Sequence, residues 1–139
     1  MKNISEVFDD FEKANDENER INVLRRNDSK SLRGVLRGTY DPDVEFTISK
    51  VPLYKPSDAP EGLGYTTISQ ELDRAYLFQK NNPRVSATLS ESRKETILIQ
   101  MLEALEKREA EIFMNMLLKK QVVKGLNAKL VKKAFPDLF

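Results

Sequence analysis

The chain has 139 residues and contains neither cysteine nor histidine, which removes disulfides, thiolate chemistry, Ser-His-Asp triads and the usual zinc sites. With 40% hydrophobic residues, 32% charged residues and a formal charge of +1, it has the make-up of one ordinary globular domain, residues 1–139, able to bury a core without metal staples. No apolar run approaches the roughly 20 residues of a membrane span, and the acidic, broken start MKNISEVFDDFEKANDENE is unlike a targeting peptide, so a cytoplasmic protein is expected.

Ile4, Val7, Phe8 and Phe11 recur at i, i+3, i+4 and i+7, the stripe of a first helix. After an interruption at 16–18, Ile21 and Leu24 belong to a short second helix. Ser29 suits an N-cap for a third, with Leu32, Val35, Leu36 and Tyr40 inward and Arg33 and Arg37 sharing another face. Asp41-Pro42 stops it, because a residue before proline avoids the helical region. Residues 44–48 alternate at strand period, so a short extended stretch is expected there. Four of the six prolines (Pro42, Pro52, Pro56, Pro60) and the glycines Gly62 and Gly64 make 41–64 a Pro/Gly-rich loop.

Helical character resumes at Tyr65, with Ile68, Leu72, Ala75 and Tyr76 in a fourth helix that Asn81-Asn82-Pro83 ends. Ser90 caps a fifth, whose apolar face is Ile97, Leu98, Met101, Leu102 and Leu105. A sixth uses Ala110, Phe113, Met114, Leu117 and Leu118. Gly125 ends it or its tail, Asn127 caps a short seventh helix bearing Leu130, Val131 and Ala134, and Pro136 marks the stop. The expectation is an all-α fold: a single irregular domain of six to seven helices, its methionines and aromatics serving as core.

The small total charge conceals an uneven distribution. Residues 1–19 hold two lysines and seven acids; residues 20–37 hold six basic residues against Asp28 alone; residues 119–133 hold six lysines and no acid. Local charge is what a phosphate backbone senses. The competing reading is that lysine and arginine coat solvated helix faces.

Two segments resemble the N-terminal DNA-binding domain of ATP-dependent DNA ligases, particularly those of large tailed bacteriophages. In NERINVLRRNDSKSLRGVLRGTYDPDVEFTI, Val23-Leu24, Leu32, Val35-Leu36, Thr39-Tyr40-Asp41-Pro42 and Phe46-Thr47-Ile48 hold the ligase-like pattern. In IFMNMLLKKQVVKGLNAKLVKKAFPDLF, Lys120, Gly125, Asn127, Lys133, Phe135, Pro136 and Leu138 do. The middle of the chain matches in helical character alone. A ligase also carries a Lys-x-Asp-Gly motif whose lysine takes AMP; this chain has no Asp-Gly, so a non-catalytic domain is expected. What the resemblance implies is duplex DNA held from the minor groove with little sequence preference.

The DNA-binding residues expected are Lys119, Lys120, Lys124, Gly125, Asn127 and Lys129 around a tight turn between two helices. A new helix there presents free N–H groups and a positive dipole end to a phosphate, while glycine supplies the positive φ of a turn. Arg25, Arg26, Lys30, Arg33 and Arg37 are the second part of the footprint. Each has a structural alternative: Gly125 as a helix stop, Asn127 as a cap, Lys132 and Lys133 as partners of a helix C-terminus, Arg33 and Arg37 as partners of the acidic first helix.

A different reading starts from the ending Phe135-Pro136-Asp137-Leu138-Phe139, which resembles sliding-clamp-binding tails. It makes the protein an adaptor to a clamp or another replication or transcription protein through Phe135, Leu138 and Phe139; the competing reading packs them on the domain. A third makes it a regulatory protein whose acidic first helix and Pro-rich loop bind another protein. No nucleophile–base pair, phosphate-cradling glycine loop or tight acidic metal motif is visible, so neither enzyme activity, nor a cofactor, nor a metal is expected.

Overall fold

The computed structural model describes residues 2–60 and 63–139; Gly62, one of the two glycines expected to close the loop, lies outside them. The described residues form one all-helical domain: α1 (Ile4–Lys13), α2 (Glu17–Arg26), α3 (Lys30–Tyr40), α4 (Ile68–Leu72), α5 (Glu91–Ala104), α6 (Lys107–Leu117) and α7 (Ala128–Ala134), with one 3-10 turn at Ala75–Phe78.

Local chemistry sets most of the boundaries. Asp16, Ser29, Thr67, Ser90 and Asn127 each accept an N–H of the first helical turn on a side-chain oxygen, satisfying donors that have no partner within the helix. Glu106 does the same for α6, taking the N–H groups of Arg108 and Glu109 while itself buried. Asp41 is extended (φ −70, ψ 116) and ends α3 ahead of Pro42.

The apolar stripes meet in one core. Val7, Phe8 and Phe11 of α1, Leu24 of α2, Leu32, Val35 and Leu36 of α3, Leu98, Met101 and Leu102 of α5, and Phe113, Met114 and Leu117 of α6 are all buried in it. Helix α6 is central, packing against α3, α5, α1 and α4, while α2 lies between α1 and α7. The α3–α6 approach is close because Gly38 has no side chain: a Cβ there would lie 2.6 Å from Met116 Sδ. Arg108 fastens α6 to α1 by a two-pronged pair with Asp9 at 2.8 and 2.7 Å.

Three expectations are corrected. The fourth helix is broken: α4 stops at Leu72, and the chain continues into the 3-10 turn that carries Phe78 inward. The cause is tertiary, since Thr47 N donates to Phe78 O at 2.8 Å and Lys80 N to Glu45 O at 2.7 Å. Those bonds draw the chain away from a helical path. The same contacts reduce the expected extended stretch at 44–48 to a single antiparallel bridge, Phe46 with Gln79. Finally, α6 ends at Leu117 and α7 begins at Ala128, so residues 118–127 form an irregular connector where a tight turn was expected.

Candidate nucleic-acid interface

The connector begins where α6 stops. Lys120 N donates to Asn115 O and Lys119 N to Met116 O, both at 3.0 Å, with Lys119 in the left-handed conformation at φ 63. This is the pattern in which a helix end closes on a left-handed residue, usually glycine. A side chain in this position costs about 1–2 kcal/mol, and here the side chain supplies compensation. Lys119 Nζ donates to the carbonyls of Gly38 (2.7 Å), Asp41 (2.8 Å) and Val44 (2.6 Å). Its three protons are thus used on the end of α3 and the following loop. Burial pushes this ammonium below the ordinary lysine range, with the Asp41 and Glu45 carboxylates pulling the other way. Lys119 is therefore a clamp between α6 and α3, correcting its assignment as a DNA contact.

Gln121 is buried and donates to Thr39 Oγ1 at 3.2 Å and Ile112 O at 3.0 Å, anchoring the next step of the connector. Val122 is exposed, and Lys124 N donates to Glu12 Oε2 at 2.9 Å. Gly125 then takes φ +86, a conformation open to glycine at no steric cost. Asn127 accepts the N–H of Leu130 at 2.9 Å and so caps α7. One amide expected to await a phosphate is thereby occupied, and Asn127 holds its structural role. Helix α7 is only seven residues long, with a correspondingly short dipole.

Of the cations in this segment, Lys120, Lys124 and Lys129 are exposed and enter no ion pair among the described residues. Lys132 lies 5.4 Å from the Phe139 ring centroid, and Lys133 Nζ is 2.9 Å from Glu17 Oε1. The cleft beside Val122 and Val123, toward α1 and α6, includes the carboxylates Glu12 and Glu111. Lys132 too is exposed and in no ion pair among the described residues, so four side chains of the connector and α7 carry free positive charge.

Sequence reasoning overlooked Arg20 as a site residue. Its guanidinium packs on Gly125, with Cζ 3.1 Å from the place a Cβ would occupy. Its Nε is buried without a hydrogen-bond partner among the described residues. The excess of basic residues from 20 to 37 contained the signal; the face Arg20 would occupy depended on a contact with a residue 105 positions away.

Within the second expected patch, Arg25 and Arg33 are engaged internally, while Lys30 and Arg37 stay largely exposed. Arg25 donates from Nε to Ala134 O (3.1 Å) and from Nη2 to Lys133 O (3.0 Å), capping the C-terminal carbonyls of α7. Arg33 forms a two-pronged pair with Asp28 at 2.6 and 3.0 Å and lies over the Phe135 ring at 4.6 Å. Arg37 donates to Asp41 at 3.3 Å, and Lys30 lies 4.0 Å from Asp73. Asp28 and Asp41, not the acidic first helix, are the partners of the two α3 arginines. Arg26 is exposed without an ion pair among the described residues. Arg25 and Arg33 serve α7 and the chain's end, while Lys30 and Arg37 border a groove toward α4.

The chain's end is folded back. Phe135 is 3% exposed, and Leu138 and Phe139 pack against the core. This corrects the picture of Phe135, Leu138 and Phe139 as a free partner-binding tail. No group of three or more carboxylates is placed to hold a metal ion among the described residues, and no helix there is long and apolar enough to cross a membrane.

No curated protein and no solved structure matches this chain. A family model described as a family of unknown function (DUF6433) does match, over residues 7–124. That span takes in α1 through α6 and most of the connector, and the chain belongs to this family.

Proposed function

We propose that this protein is a non-catalytic DNA-binding module that grips duplex or nicked DNA through backbone phosphates. The observation that carries the reading is the exposure of Lys120, Lys124 and Lys129, which flank Gly125 along the chain and enter no ion pair among the described residues, with the Arg20 guanidinium laid against that glycine. Exposed cations on a rigid frame are suited to phosphate oxygens and carry little sequence information. The frame is held by Lys119 and Gln121 on one side and by Arg25 on the other. The resemblance of residues 18–48 and 112–139 to the ligase domain supports a minor-groove mode with weak sequence preference.

The test is a fluorescence-anisotropy titration of labelled duplex and nicked DNA across salt concentrations. Binding should weaken steeply with salt and fall on charge reversal at Lys120, Lys124 and Lys129. Absence of binding at low salt, or a flat salt dependence, would defeat the proposal.

A second reading draws on the Pro-rich loop. Leu53, Tyr65, Leu63 and Val51 are 95%, 93%, 70% and 53% exposed, so the loop presents apolar side chains to its surroundings, as protein-binding segments do. In that reading the protein is a structural or regulatory protein whose loop binds another protein. A nuclease-resistant complex abolished by the substitutions Leu53→Ser and Tyr65→Ser would favour it over DNA binding.

A further inference from the structure

A groove of about 400 Å³ opens between α3, α4 and the 3-10 turn, in a part of the molecule that the DNA-binding reading does not use. Its lining includes Phe46, Leu72 and Tyr76 as apolar surface and Lys30, Arg37 and Arg84 as cations, with Asp73 as a carboxylate. That volume falls within the range of small-ligand sites, which pair apolar walls with a few charged groups that orient the ligand.

The cations are available. Lys30 and Arg37 are seven residues apart on α3, about 10 Å along its axis, and so stand two turns apart on one side. The Lys30 side chain is 93% exposed in its 4.0 Å contact with Asp73; Arg37 is 60% exposed, with a 3.3 Å bond to Asp41. The Lys30–Asp73 contact is between two exposed groups, a kind worth little that exchanges readily for a better anion, while Arg37 keeps its outer guanidinium nitrogens exposed beside the buried Asp41. Arg84 lies over the Tyr76 ring, 4.1 Å from its centroid, and is itself exposed, so a second planar group can be laid on that stack. A planar guanidinium on an aromatic ring, an apolar floor and an excess of positive charge at the rim together select a ligand that is flat, apolar on its faces and anionic at one end.

We infer that this groove binds a nucleoside phosphate, its base stacking beside Arg84 and Tyr76 and its phosphate held by Lys30 and Arg37. An acidic peptide would satisfy the cations but leave Phe46, Leu72 and Tyr76 uncovered. The phosphate chemistry is the same for a free nucleotide and for an unpaired nucleotide in a strand, and the experiment distinguishes the two.

Amide chemical shifts of the full-length chain are followed during titration with deoxyadenosine monophosphate. Saturable shifts are expected at Gly34, Gly38, Leu72 and Tyr76. Deoxyadenosine and inorganic phosphate, each carrying half of the ligand, should bind at least tenfold more weakly. Lys30→Ala and Arg84→Ala alter exposed side chains and should preserve the spectrum while weakening the nucleotide at least fivefold each. A four-residue deoxyadenosine strand binding more tightly than the mononucleotide assigns the groove to unpaired strands; equal or weaker binding assigns it to free nucleotide, and the inference stands in both cases. It is overturned by an absence of saturable shifts, by shifts centred on Lys124 and Lys129, by inorganic phosphate or a tetraglutamate peptide binding as tightly as the nucleotide, or by unchanged affinity in folded Lys30→Ala and Arg84→Ala variants. Charge reversal at Lys120, Lys124 and Lys129 should leave this binding intact, so its failure and that of the duplex interface are separable.

Discussion

The Arg20 guanidinium rests against Gly125, so that a Cβ on the glycine would lie 3.1 Å from Arg20 Cζ and Nη1. Gly125 is at φ +86, where any L side chain is strained, so Gly125→Ala combines a conformational cost of about 1–2 kcal/mol with displacement of the arginine. Thermal unfolding should show that destabilisation, and DNA affinity should fall with it. Arg20→Met, by contrast, removes a buried Nε that has no partner among the described residues. It should leave stability unchanged or slightly higher and still weaken DNA binding roughly ten- to hundredfold, as removal of one charge-assisted hydrogen bond of about 1.5–3 kcal/mol would. Destabilisation by Arg20→Met with full DNA affinity would make Arg20 a packing residue.

Charge reversal at Lys120, Lys124 and Lys129 has a quantitative signature. Each phosphate that the protein no longer neutralises reduces the slope of log K against log salt by about 0.9 on duplex DNA, so the triple variant should flatten the plot by nearly three times that amount. These side chains are exposed, and surface changes of this kind leave stability nearly unaltered. An unchanged slope would place the DNA-binding surface elsewhere on the molecule.

Lys119 should respond as a structural residue. Lys119→Met retains the strained φ of 63 and removes the ammonium donor from the carbonyls of Gly38, Asp41 and Val44, of which Asp41 keeps the Val44 N–H, at a cost of about 2 kcal/mol or more. Lys119→Gly removes the same bonds but relieves the strain, and should be the more stable of the two by about 1 kcal/mol. Chemical denaturation of the three proteins checks the order wild type, glycine, methionine. A methionine variant as stable as the wild type would deny the clamp.

How far the sequence could be read follows from this contrast. The stripe of Ile4, Val7, Phe8 and Phe11 and the caps at Ser29, Ser90 and Asn127 were legible because their chemistry is settled within one or two helical turns. The break after Leu72 was not, because residues 45–47 impose it through the backbone bonds to Phe78 and from Lys80. In the candidate site, the sequence located the basic segment but could not sort its cations. Lys119, Lys120 and Lys124 look alike along the chain. One is spent on carbonyls 75 to 81 positions away while the others remain exposed. Arg25 and Arg20 are likewise assigned by the docking of α2 on α7 and the connector.

Stability should fall on the acid side through Asp9 and Asp28. The Arg108 hydrogen bonds hold the Asp9 carboxyl below the usual carboxylate range, and those of Arg33 do the same for Asp28, with desolvation opposing in both cases. A carboxylate whose folded value is depressed contributes its stabilisation above the unfolded value, about pH 3.9, and loses it as pH falls through the folded value. Both pairs are solvent-exposed, so screening keeps each contribution small and salt-dependent. Unfolding midpoints measured between pH 7 and pH 2 should therefore decline below about pH 4, with Asp9→Asn and Asp28→Asn each reducing the decline. An acid limb identical in both variants would mean that other carboxylates govern it.

The folded-back chain end supplies the remaining prediction. Phe135 is 3% exposed with the Arg33 guanidinium 4.6 Å from its ring centroid, and Leu138 and Phe139 pack on the same core. Removing a buried phenylalanine side chain costs about 3–5 kcal/mol, a large part of the stability of a domain this size. Phe135→Ala should thus lower the unfolding midpoint sharply, and deletion of Leu138 and Phe139 should lower it by a smaller but measurable amount, because those side chains are only half-buried. The deletion also takes the Phe139 ring away from Lys132, a cation already exposed on α7. DNA affinity of the shortened chain should then be maintained or slightly increased at a temperature where it stays folded. Full stability after the deletion would mean that the end does not hold the packed position, and would return Phe135, Leu138 and Phe139 to the role of anchors for a protein partner such as a sliding clamp.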